Sequence, residues 1–532
     1  MSCRLERVER IIDASQVAER IEALLPIGVR PRQLRVRTLL IGMVLVMVNG
    51  RDALLTNVLQ ALLELPEADR RRHGVSAHWH DQEHELTYRQ LEYTYRLIVG
   101  QLAKDTPDGT PSGVLSEVLD GLLEASVTVL GEPDSSSYAV DWTDHETWSR
   151  PPPKRPADRE PQPEPAAEDR QPTAGDTNPE PAPRPDAPHH ERHSDREASW
   201  GHRTSNHPAD NETFYGYYLQ ALTTVRDEHG PQVPELARRM HLASCRHDPP
   251  AQIVPVIRRM HDNGTPISDL LGDSGYSYRV PQDWALPLRT LGIDLIQDLH
   301  PNDRGPHGTH QGAICANGNL YCPATPSTLL QLAPLPPSTS AEQTNAHDRQ
   351  CDELARYKLS PITRYDPDGY RRVICPAAQG KLRCPHQPES TTLPHDRPTI
   401  PTPPQHPPAC CTQKTITVPP TVNAKTAQKH DYPSRAHRLS YHRRTGAERT
   451  FATLTDRTTN DLTRGWCRLF GLTPIALFTA AALIARNIRI NNAYNARQAD
   501  NQRRAAQGLP PKQRRRRRQT AKDLISAANP PP

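Results

Sequence analysis

Residues 149–199 contain no Val, Ile, Leu, Met, Phe, Tyr or Trp, and this gap limits what the chain can fold into. The stretch consists mainly of Pro, Ala, Arg, Asp and Glu, so it has almost no apolar surface to bury. The whole chain holds 56 Pro against 27 Gly, and each Pro removes a backbone donor. We therefore predict a disordered, Pro-rich insert over 149–199 that interrupts the folded part of this 532-residue chain.

The rest of the composition excludes an integral membrane protein, since mean hydropathy is −0.73 and 35% of residues are hydrophobic. The apolar run Leu39–Val48 is shorter than the about 20 residues that cross a bilayer. A second run, Leu469–Ala485, contains Pro474 and several small residues, so we predict a buried helix there. The N-terminus is charged and amphipathic rather than signal-like. We expect a cytoplasmic protein with reduced thiols and no membrane partner.

Residues 1–130 are predicted to form a helical N-terminal domain. Thr87 and Gln90 have the spacing of a capping box that opens a helix over Tyr88–Leu102. A cluster of arginines precedes the first apolar run: Arg30, Arg32, Arg35 and Arg37. This cluster is either a solvated basic edge or part of a surface that binds DNA ends.

Strands and helices are then predicted in a particular order. The predicted strands are Ser137–Asp141, Thr213–Val225, a less regular one within Gln232–Ser244, Ile267–Leu271 and Ile293–Leu299. The predicted helices are Pro250–His261, one near Asp283–Leu291, Ser440–Leu454 and one near Leu462–Arg489. This order predicts an α/β fold with a ribonuclease-H-like mixed sheet and flanking helices. The sheet domain would comprise 137–299 and 436–495.

Two further segments complete the predicted organisation. Residues 300–435 form an irregular, β-rich insertion that holds seven of the ten Cys. Residues 496–532 form a basic, disordered tail, and its run Arg514–Arg518 would attract phosphates without sequence specificity, unless it is a solvated end without a role.

Three acids are candidates for metal-assisted chemistry on phosphodiesters, which uses two divalent cations about 4 Å apart held by carboxylates. Asp141 ends the first predicted strand, with Asp144 and Glu146 as nearby rivals. Asp273 follows the strand Ile267–Leu271. Glu448 is the third candidate. Spacing alone does not single these acids out, because the chain contains 61 Asp and Glu residues.

Glu448 belongs to a predicted helix face that also carries Tyr441 and Arg444, at spacings of three and four residues. Such a face is common on solvated helices, where Arg and Glu form an ion pair. Beside a metal-binding acid, the same Arg could contact a phosphate and the Tyr could donate to one or stack on a base.

The motifs around these residues resemble those of a known family. YHRRTGAERTFATL, which contains Tyr441, Arg444 and Glu448, is similar to the signature of DDE insertion-sequence transposases of the Tyr-Arg-Glu-Lys type. DSGYSY from Asp273 resembles the motif around the second Asp of that family, and VDWTDHE around Asp141 resembles the first. FYGYYLQALTTV resembles the strand after the first Asp. The resemblance spans roughly 137–299 and 430–490.

This resemblance implies an enzyme that cuts DNA at the ends of a mobile element and joins them to target DNA. Asp141, Asp273 and Glu448 would be the catalytic acids and would hold two Mg²⁺ or Mn²⁺ ions. Water, and then the freed 3′-hydroxyl, would attack phosphodiesters in line. Tyr441 and Arg444 would contact DNA near the cleaved phosphate. The partners would be the double-stranded DNA of terminal repeats and target, with a homodimer forming on the DNA.

One position departs from the family signature. Its Lys falls at position 455, which is Thr455 here, and Arg449 and Arg457 are the nearest cations. We predict Arg449 as a further DNA contact. Two alternatives stay open: a catalytically inactive DNA-binding protein derived from a transposase, and a ribonuclease-H-like nuclease that hydrolyses DNA without strand transfer.

Metal sites other than the acids are not favoured by spacing. Structural zinc sites commonly use Cys pairs separated by two to four residues, and the insertion has none. Its thiols are therefore predicted to be free or buried. Zinc is the alternative, and the cysteines that could supply its ligands are Cys315, Cys322, Cys375, Cys384, Cys410 and Cys411. The segment HWHDQEH, with His78, His80 and His84, is predicted to be an exposed polar loop rather than a ligand set.

Overall fold

The computed structural model describes residues 2–26, 32–79, 82–104, 109–151, 195–203, 212–336, 339–456 and 459–512. Most of the predicted Pro-rich insert and all of Arg514–Arg518 lie outside the described residues. Both ends of the insert are described, and the Asp195 N–H donates to the Ser149 hydroxyl at 3.0 Å. Both residues are buried. The ordered structure therefore extends further into this stretch than its composition predicts, because polar groups at its two ends bond to each other.

The described residues before 131 are mainly helical, as predicted. They form α1 (Ser2–Ser15), α2 (Val17–Leu24), α3 (Val36–Val48), α4 (Leu55–Leu63), α5 (Glu67–Arg72), β1 (Ser76–Trp79), β2 (Gln82–Glu85), α6 (Tyr88–Leu102) and α7 (Gly113–Leu130). The capping box is confirmed: the Gln90 N–H donates to Thr87 Oγ1, and the Thr87 N–H donates to Gln90 Oε1 at 2.9 Å. The predicted polar loop HWHDQEH is wrong, because β1 and β2 pair as an antiparallel hairpin.

A mixed six-stranded sheet follows, and this confirms the predicted α/β class. Its strands are β3 (Ser137–Glu146), β4 (Ser199–Arg203), β5 (Glu212–Val225), β6 (Ala237–Ser244), β7 (Asp269–Gly272) and β8 (Asp294–Gln297). β3 lies between an antiparallel β5 and a parallel β7, and β8 is parallel to β7. β6 and the short β4 both pair with the other edge of β5. The strand order is therefore β6-β5-β3-β7-β8, with β4 beside the start of β5.

One face of the sheet is covered by the helices between the later strands. These are α8 (Pro249–Asp262), α9 (Ser274–Ser277) and α10 (Ala285–Thr290). Tyr138 and Val140 of β3 pack there against Ile257 and Trp284. Because side chains alternate along a strand, the odd-numbered residues of β3, including Asp141, point to the opposite face.

The insertion contains two small antiparallel sheets and a long helix. Its elements are β9 (Pro306–His310), β10 (Ala313–Ala316), β11 (Asn319–Tyr321), α11 (Ser327–Leu330), α12 (Ala341–Tyr357), β12 (Ser360–Pro361), β13 (Arg371–Ile374), α13 (Ala409–Thr412) and β14 (Ile416–Val418). The helix α12 was not predicted. Ser340 and Gln343 form its capping box, and that spacing was the available signal.

The last three helices of the described residues complete the second face of the sheet. They are α14 (Arg435–Tyr441), α15 (Thr445–Leu454) and α16 (Leu472–Ala506), with a 3₁₀ turn at His442–Arg444 between the first two. α16 starts later than predicted and continues to Ala506, so residues 496–506 are helical rather than disordered. Its apolar half shares one continuous core with α3, α7 and one face of the sheet. The helical N-terminal part is therefore packed onto the sheet.

The burial predicted for the apolar run near the C-terminus is confirmed. By length and composition, α16 is the one described helix that could cross a membrane. However, 83% of its most apolar 18-residue stretch is buried inside the protein. Such burial is typical of a core helix.

A buried histidine in β3 predicts acid sensitivity. The ring of His145 packs edge-on against Trp466, with 6.1 Å between centroids, and burial lowers the pKa of His145 to about 4. In the unfolded chain a His has a pKa of about 6.5, so the unfolded state binds more protons between these values. The stabilising contribution is complete above pH 6.5 and is lost as the pH falls toward 4. We expect His145 alone to lower the free energy of unfolding by up to about 3 kcal/mol across this window.

Denaturant unfolding of the wild type and of His145→Phe at pH 7 and pH 5 measures this effect. The loss of stability at pH 5 should be smaller in His145→Phe. Replacing the exposed His84 in the same way should leave the wild-type loss unchanged. An equal loss in wild type and His145→Phe would show that His145 does not contribute.

Candidate active site

Asp141 lies inside β3 rather than at its end, which corrects the predicted strand boundary. Pairing with β5 continues to Glu146, whereas the parallel pairing with β7 covers only residues 137–139. At Asp141, β3 therefore pairs with β5 but no longer with β7. The Asp141 side chain lies where the pairing of β3 with β7 has ended. The carboxylate is 16% exposed and accepts hydrogen bonds from the Trp142 N–H at 2.9 Å and from Arg444 at 3.0 Å.

Asp273 follows β7 and caps the N-terminus of α9. Its carboxylate accepts hydrogen bonds from the N–H groups of Gly275 and Tyr276, at 2.9 and 3.3 Å. Gly275 is needed at this turn, because a Cβ there would lie 2.2 Å from the Trp142 ring. Asp141 lies just beyond the part of β3 that pairs with β7, and Asp273 lies just beyond the carboxyl end of β7, so the two acids meet at the same edge of the sheet.

Glu448 reaches this edge from α15, and Arg444 connects it to the strand. The Arg444 guanidinium forms ion pairs with both Glu448 and Asp141 and lies over the Tyr441 ring, 5.7 Å from its centroid. These three side chains lie together as predicted, but the predicted single helix Ser440–Leu454 is wrong, because Tyr441 ends α14, Arg444 lies in the 3₁₀ turn and Glu448 lies in α15. Gly446 lets α15 approach the sheet, since a Cβ there would lie 2.6 Å from Val225 Cγ1. Glu448 itself is 51% exposed.

The three acids are close enough to influence each other's protonation. Burial raises the pKa of Asp141 to about 6, with Arg444 opposing the shift and the charges of Asp273 and Glu448 adding to it. Burial also raises the pKa of Asp273, again opposed by Arg444. Arg444 is therefore the positive charge that compensates a cluster of carboxylates drawn from three distant parts of the sequence.

The donor set is chemically suited to hard divalent cations, although it is not arranged around one. Carboxylate oxygens are the ligands that Mg²⁺ prefers, and buried like charges ionise together only with a cation nearby. Within the described ranges, no three His, Cys, Asp or Glu side chains stand ready to hold a metal ion. Among the acids, the Arg444 guanidinium supplies the positive charge that a bound cation would otherwise provide.

The rival acids of β3 have a different partner. Arg203 of β4 forms ion pairs with Asp144 at 2.9 Å and with Glu146 at 3.0 Å. Neither contributes to the network that joins Asp141 to Arg444 and Glu448. This arrangement favours Asp141 among the three acids of the strand.

Arg449 is held away from the acid cluster. Its guanidinium donates to Glu235 at 2.8 Å and to Thr445 Oγ1 at 3.0 Å. Thr455, where the family signature has Lys, caps the end of α15 by donating to the Phe451 carbonyl at 3.1 Å. Arg457 lies outside the described residues. The role of Arg449 in DNA binding thus stays a prediction that requires its ion pair with Glu235 to open.

Sequence reasoning missed Asp298, which directly follows β8 beside Asp273. The carboxylate of Asp298 accepts a hydrogen bond from the Tyr432 hydroxyl at 2.6 Å, and its charge raises the pKa of Asp273. An acid at the carboxyl end of a parallel strand was the available signal, because such ends meet at one edge of a sheet. Asp298 therefore adds a fourth negative charge near this edge.

A buried ionic network anchors the three segments that carry the acids. The Arg443 side chain is 2% exposed and donates to Asp269 at 2.9 Å and to the Ser137 hydroxyl at 3.0 Å. Ser137 begins β3 and Asp269 begins β7. Lys429 donates to the second oxygen of Asp269 at 2.7 Å. Arg443 thus connects the first residues of β3 and β7 to the 3₁₀ turn that carries Arg444.

The arginine cluster near residue 35 is largely neutralised where it is described. Arg32 is ion-paired with Glu22 and Arg37 with Asp13, whereas Arg35 is exposed. Arg30 and His80 lie outside the described residues. DNA-end binding by the N-terminal helices stays a prediction.

Comparison with known proteins adds no relative: no protein-family model, curated protein or solved structure matches the chain. The case for a function therefore depends on the motifs and on the geometry of the acid cluster.

Proposed function

We propose that the protein is a DDE transposase that cuts DNA at the ends of an insertion sequence and transfers the freed strands to target DNA. The convergence of Asp141, Asp273 and Glu448 on one edge of the sheet carries this proposal. These are the acids that the resemblance assigns, and Arg444 links two of them directly. Motif resemblance and spatial convergence are independent observations.

The strand arrangement supports a ribonuclease-H-like identity for the sheet. The first three strands of such a fold form an antiparallel meander, and the fourth and fifth add in parallel beside the first. The order β6-β5-β3-β7-β8 and its strand directions agree with that arrangement if β4 is an additional strand. The acid-bearing helix α15 then lies on the face to which Asp141 points.

The roles of the side chains follow from their environments. Asp141 and Asp273 are fixed by backbone N–H donors and by burial, so they provide the rigid part of the site. Glu448, on an exposed helix face, completes it. Bound Mg²⁺ ions held by these three acids would activate the attacking oxygen and stabilise the leaving oxygen. Arg444 would exchange its two carboxylate partners for a DNA phosphate, which a guanidinium can bind through two N–H groups at once.

The proposed partners and setting follow from this activity. They are the double-stranded DNA of the element's terminal repeats and of the target, a second copy of the chain on that DNA, and the cytoplasm. Tyr441, beside Arg444, would contact DNA near the cleaved phosphate.

The experiment is incubation of the purified chain with DNA that carries the ends of its own mobile element, in the presence of Mg²⁺ or Mn²⁺. A transposase yields nicks at the element ends and products in which those ends are joined to target DNA. Nicks without joined products would favour a nuclease. DNA binding without nicks would favour the inactive DNA-binding alternative, and either outcome would overturn the proposal.

A further inference from the structure

Four cysteines of the insertion converge from separate segments. Cys322 directly follows β11, Cys375 directly follows β13, Cys384 lies in a turn, and Cys411 lies in α13. All four are buried free thiols. The Gln387 side chain connects two of these segments, since its amide donates to the Cys411 carbonyl at 2.7 Å and its own N–H donates to the Cys384 carbonyl at 2.9 Å.

Three of these cysteines share one local structure. Each is followed by Pro, and each sulfur accepts hydrogen bonds from backbone N–H groups two or three residues further on. The donors are Ala324 for Cys322, Ala377 and Ala378 for Cys375, and His386 and Gln387 for Cys384. Such turns direct N–H dipoles at a sulfur and stabilise it as a thiolate, the form that binds metals.

The four sulfurs also lie close to one another. In all six pairwise combinations, the charge on one thiolate disfavours the charge on another. Cys322, Cys375 and Cys384 belong to one packed apolar cluster, and the two Gln387 hydrogen bonds hold the segment of Cys411 beside that of Cys384. Three turns and the helix α13 therefore hold the four sulfurs together, and within the described residues the charges that act most on Cys322, Cys375 and Cys384 come from thiols of this set.

We propose that Cys322, Cys375, Cys384 and Cys411 bind one structural Zn²⁺ ion. A Zn²⁺ ion would supply the missing positive charge and take four thiolates in tetrahedral coordination. No three of these thiols stand at ligand distance in the described residues, so binding would turn the side chains toward a shared ion. The spacing rule disfavoured zinc because it considers cysteines that are close in sequence, whereas these four come from separate segments of the insertion.

The organisation of the insertion supports a structural role for such an ion. The insertion has two apolar clusters, with Cys322, Cys375 and Cys384 in one and Cys411 in the other. Small domains with little core commonly need a metal or cross-link for stability. An ion bound by all four thiols would join the two clusters. This inference does not depend on the proposed DNA chemistry.

Zinc analysis of the purified full-length chain by mass spectrometry tests the proposal. We expect about one Zn²⁺ per chain in the wild type, and zinc at background level in Cys375→Ser and Cys384→Ser. Cys315→Ser is the matched control, because Cys315 is buried in the same insertion but its pKa is raised by burial alone. That variant should retain the wild-type zinc content.

Cobalt substitution provides a second measurement that needs no variant. Co²⁺ bound to the wild type should show sulfur-to-metal charge-transfer absorption and the intense visible bands of a tetrahedral site. Absence of zinc from the wild type together with no such spectrum would overturn the proposal. It would also be overturned if Cys375→Ser and Cys384→Ser kept the zinc that Cys315→Ser keeps, or if the four thiols were recovered as disulfides.

Discussion

Replacing Asp141 with Asn is expected to reduce metal-dependent nicking of the element's DNA ends by about 10³-fold or more. Metal ions contribute several kcal/mol to the stabilisation of such transition states, and each 1.36 kcal/mol corresponds to about tenfold in rate. Asn has the size of Asp but lacks the negative charge that a hard cation requires. The measurement is the single-turnover rate of nicking at saturating Mg²⁺.

Asp144→Asn is the matched control for this substitution. Asp144 lies on the same strand, and its carboxylate is ion-paired with Arg203 in a partly exposed position, where such pairs contribute little to stability. Its nicking rate should stay close to that of the wild type. If Asp141→Asn and Asp144→Asn nick at the same rate, the assignment of Asp141 to the site is wrong.

Replacing Arg443 with Met is expected to lower the free energy of unfolding by about 3–5 kcal/mol, since one partner of a buried ion pair is lost. The side chains of Arg443 and Asp269 are each 2% exposed, so water cannot replace the missing guanidinium. The Ser137 hydroxyl and the Arg226 carbonyl each lose a donor as well. Denaturant unfolding measures the change.

Arg435→Met controls for the loss of an arginine nearby, because Arg435 is exposed on α14. It should change stability little. In a double-mutant cycle, Arg443→Met combined with Asp269→Asn should cost less than the sum of the two single changes. Additive effects, or equal stability of Arg443→Met and Arg435→Met, would contradict a structural role for this network.

The sequence allowed the components of the site to be assigned but not their environment. Helical spacing correctly predicted that Arg444 and Glu448 share a face. The choice of Asp141 over Asp144 depended on the resemblance. Both lie on β3 and pair with β5, and alternation places their side chains on opposite faces of the sheet without showing which face holds the site. That Arg444 pairs with Asp141 could not be predicted, since the contact joins residues distant in sequence.

Contacts between residues distant in sequence also explain most differences between the predicted and the observed fold. β3 exceeds its predicted length because the partner β5 continues alongside it, and a partner strand is invisible to a local pattern. Ser149 and Asp195 are ordered through a hydrogen bond across the Pro-rich stretch. By contrast, α12 and Asp298 carried local signals that were available. Convergence of the four insertion cysteines is a long-range property that no spacing rule captures.

Binding of Mn²⁺ to the chain on its DNA end, followed through the paramagnetic resonance signal of free Mn²⁺, tests the central claim most directly. Our account predicts that the wild type and Asp144→Asn remove Mn²⁺ from solution with equal affinity. Asp141→Asn and Asp273→Asn should bind it far more weakly. Equal Mn²⁺ binding by all four proteins would contradict a metal site formed by these acids.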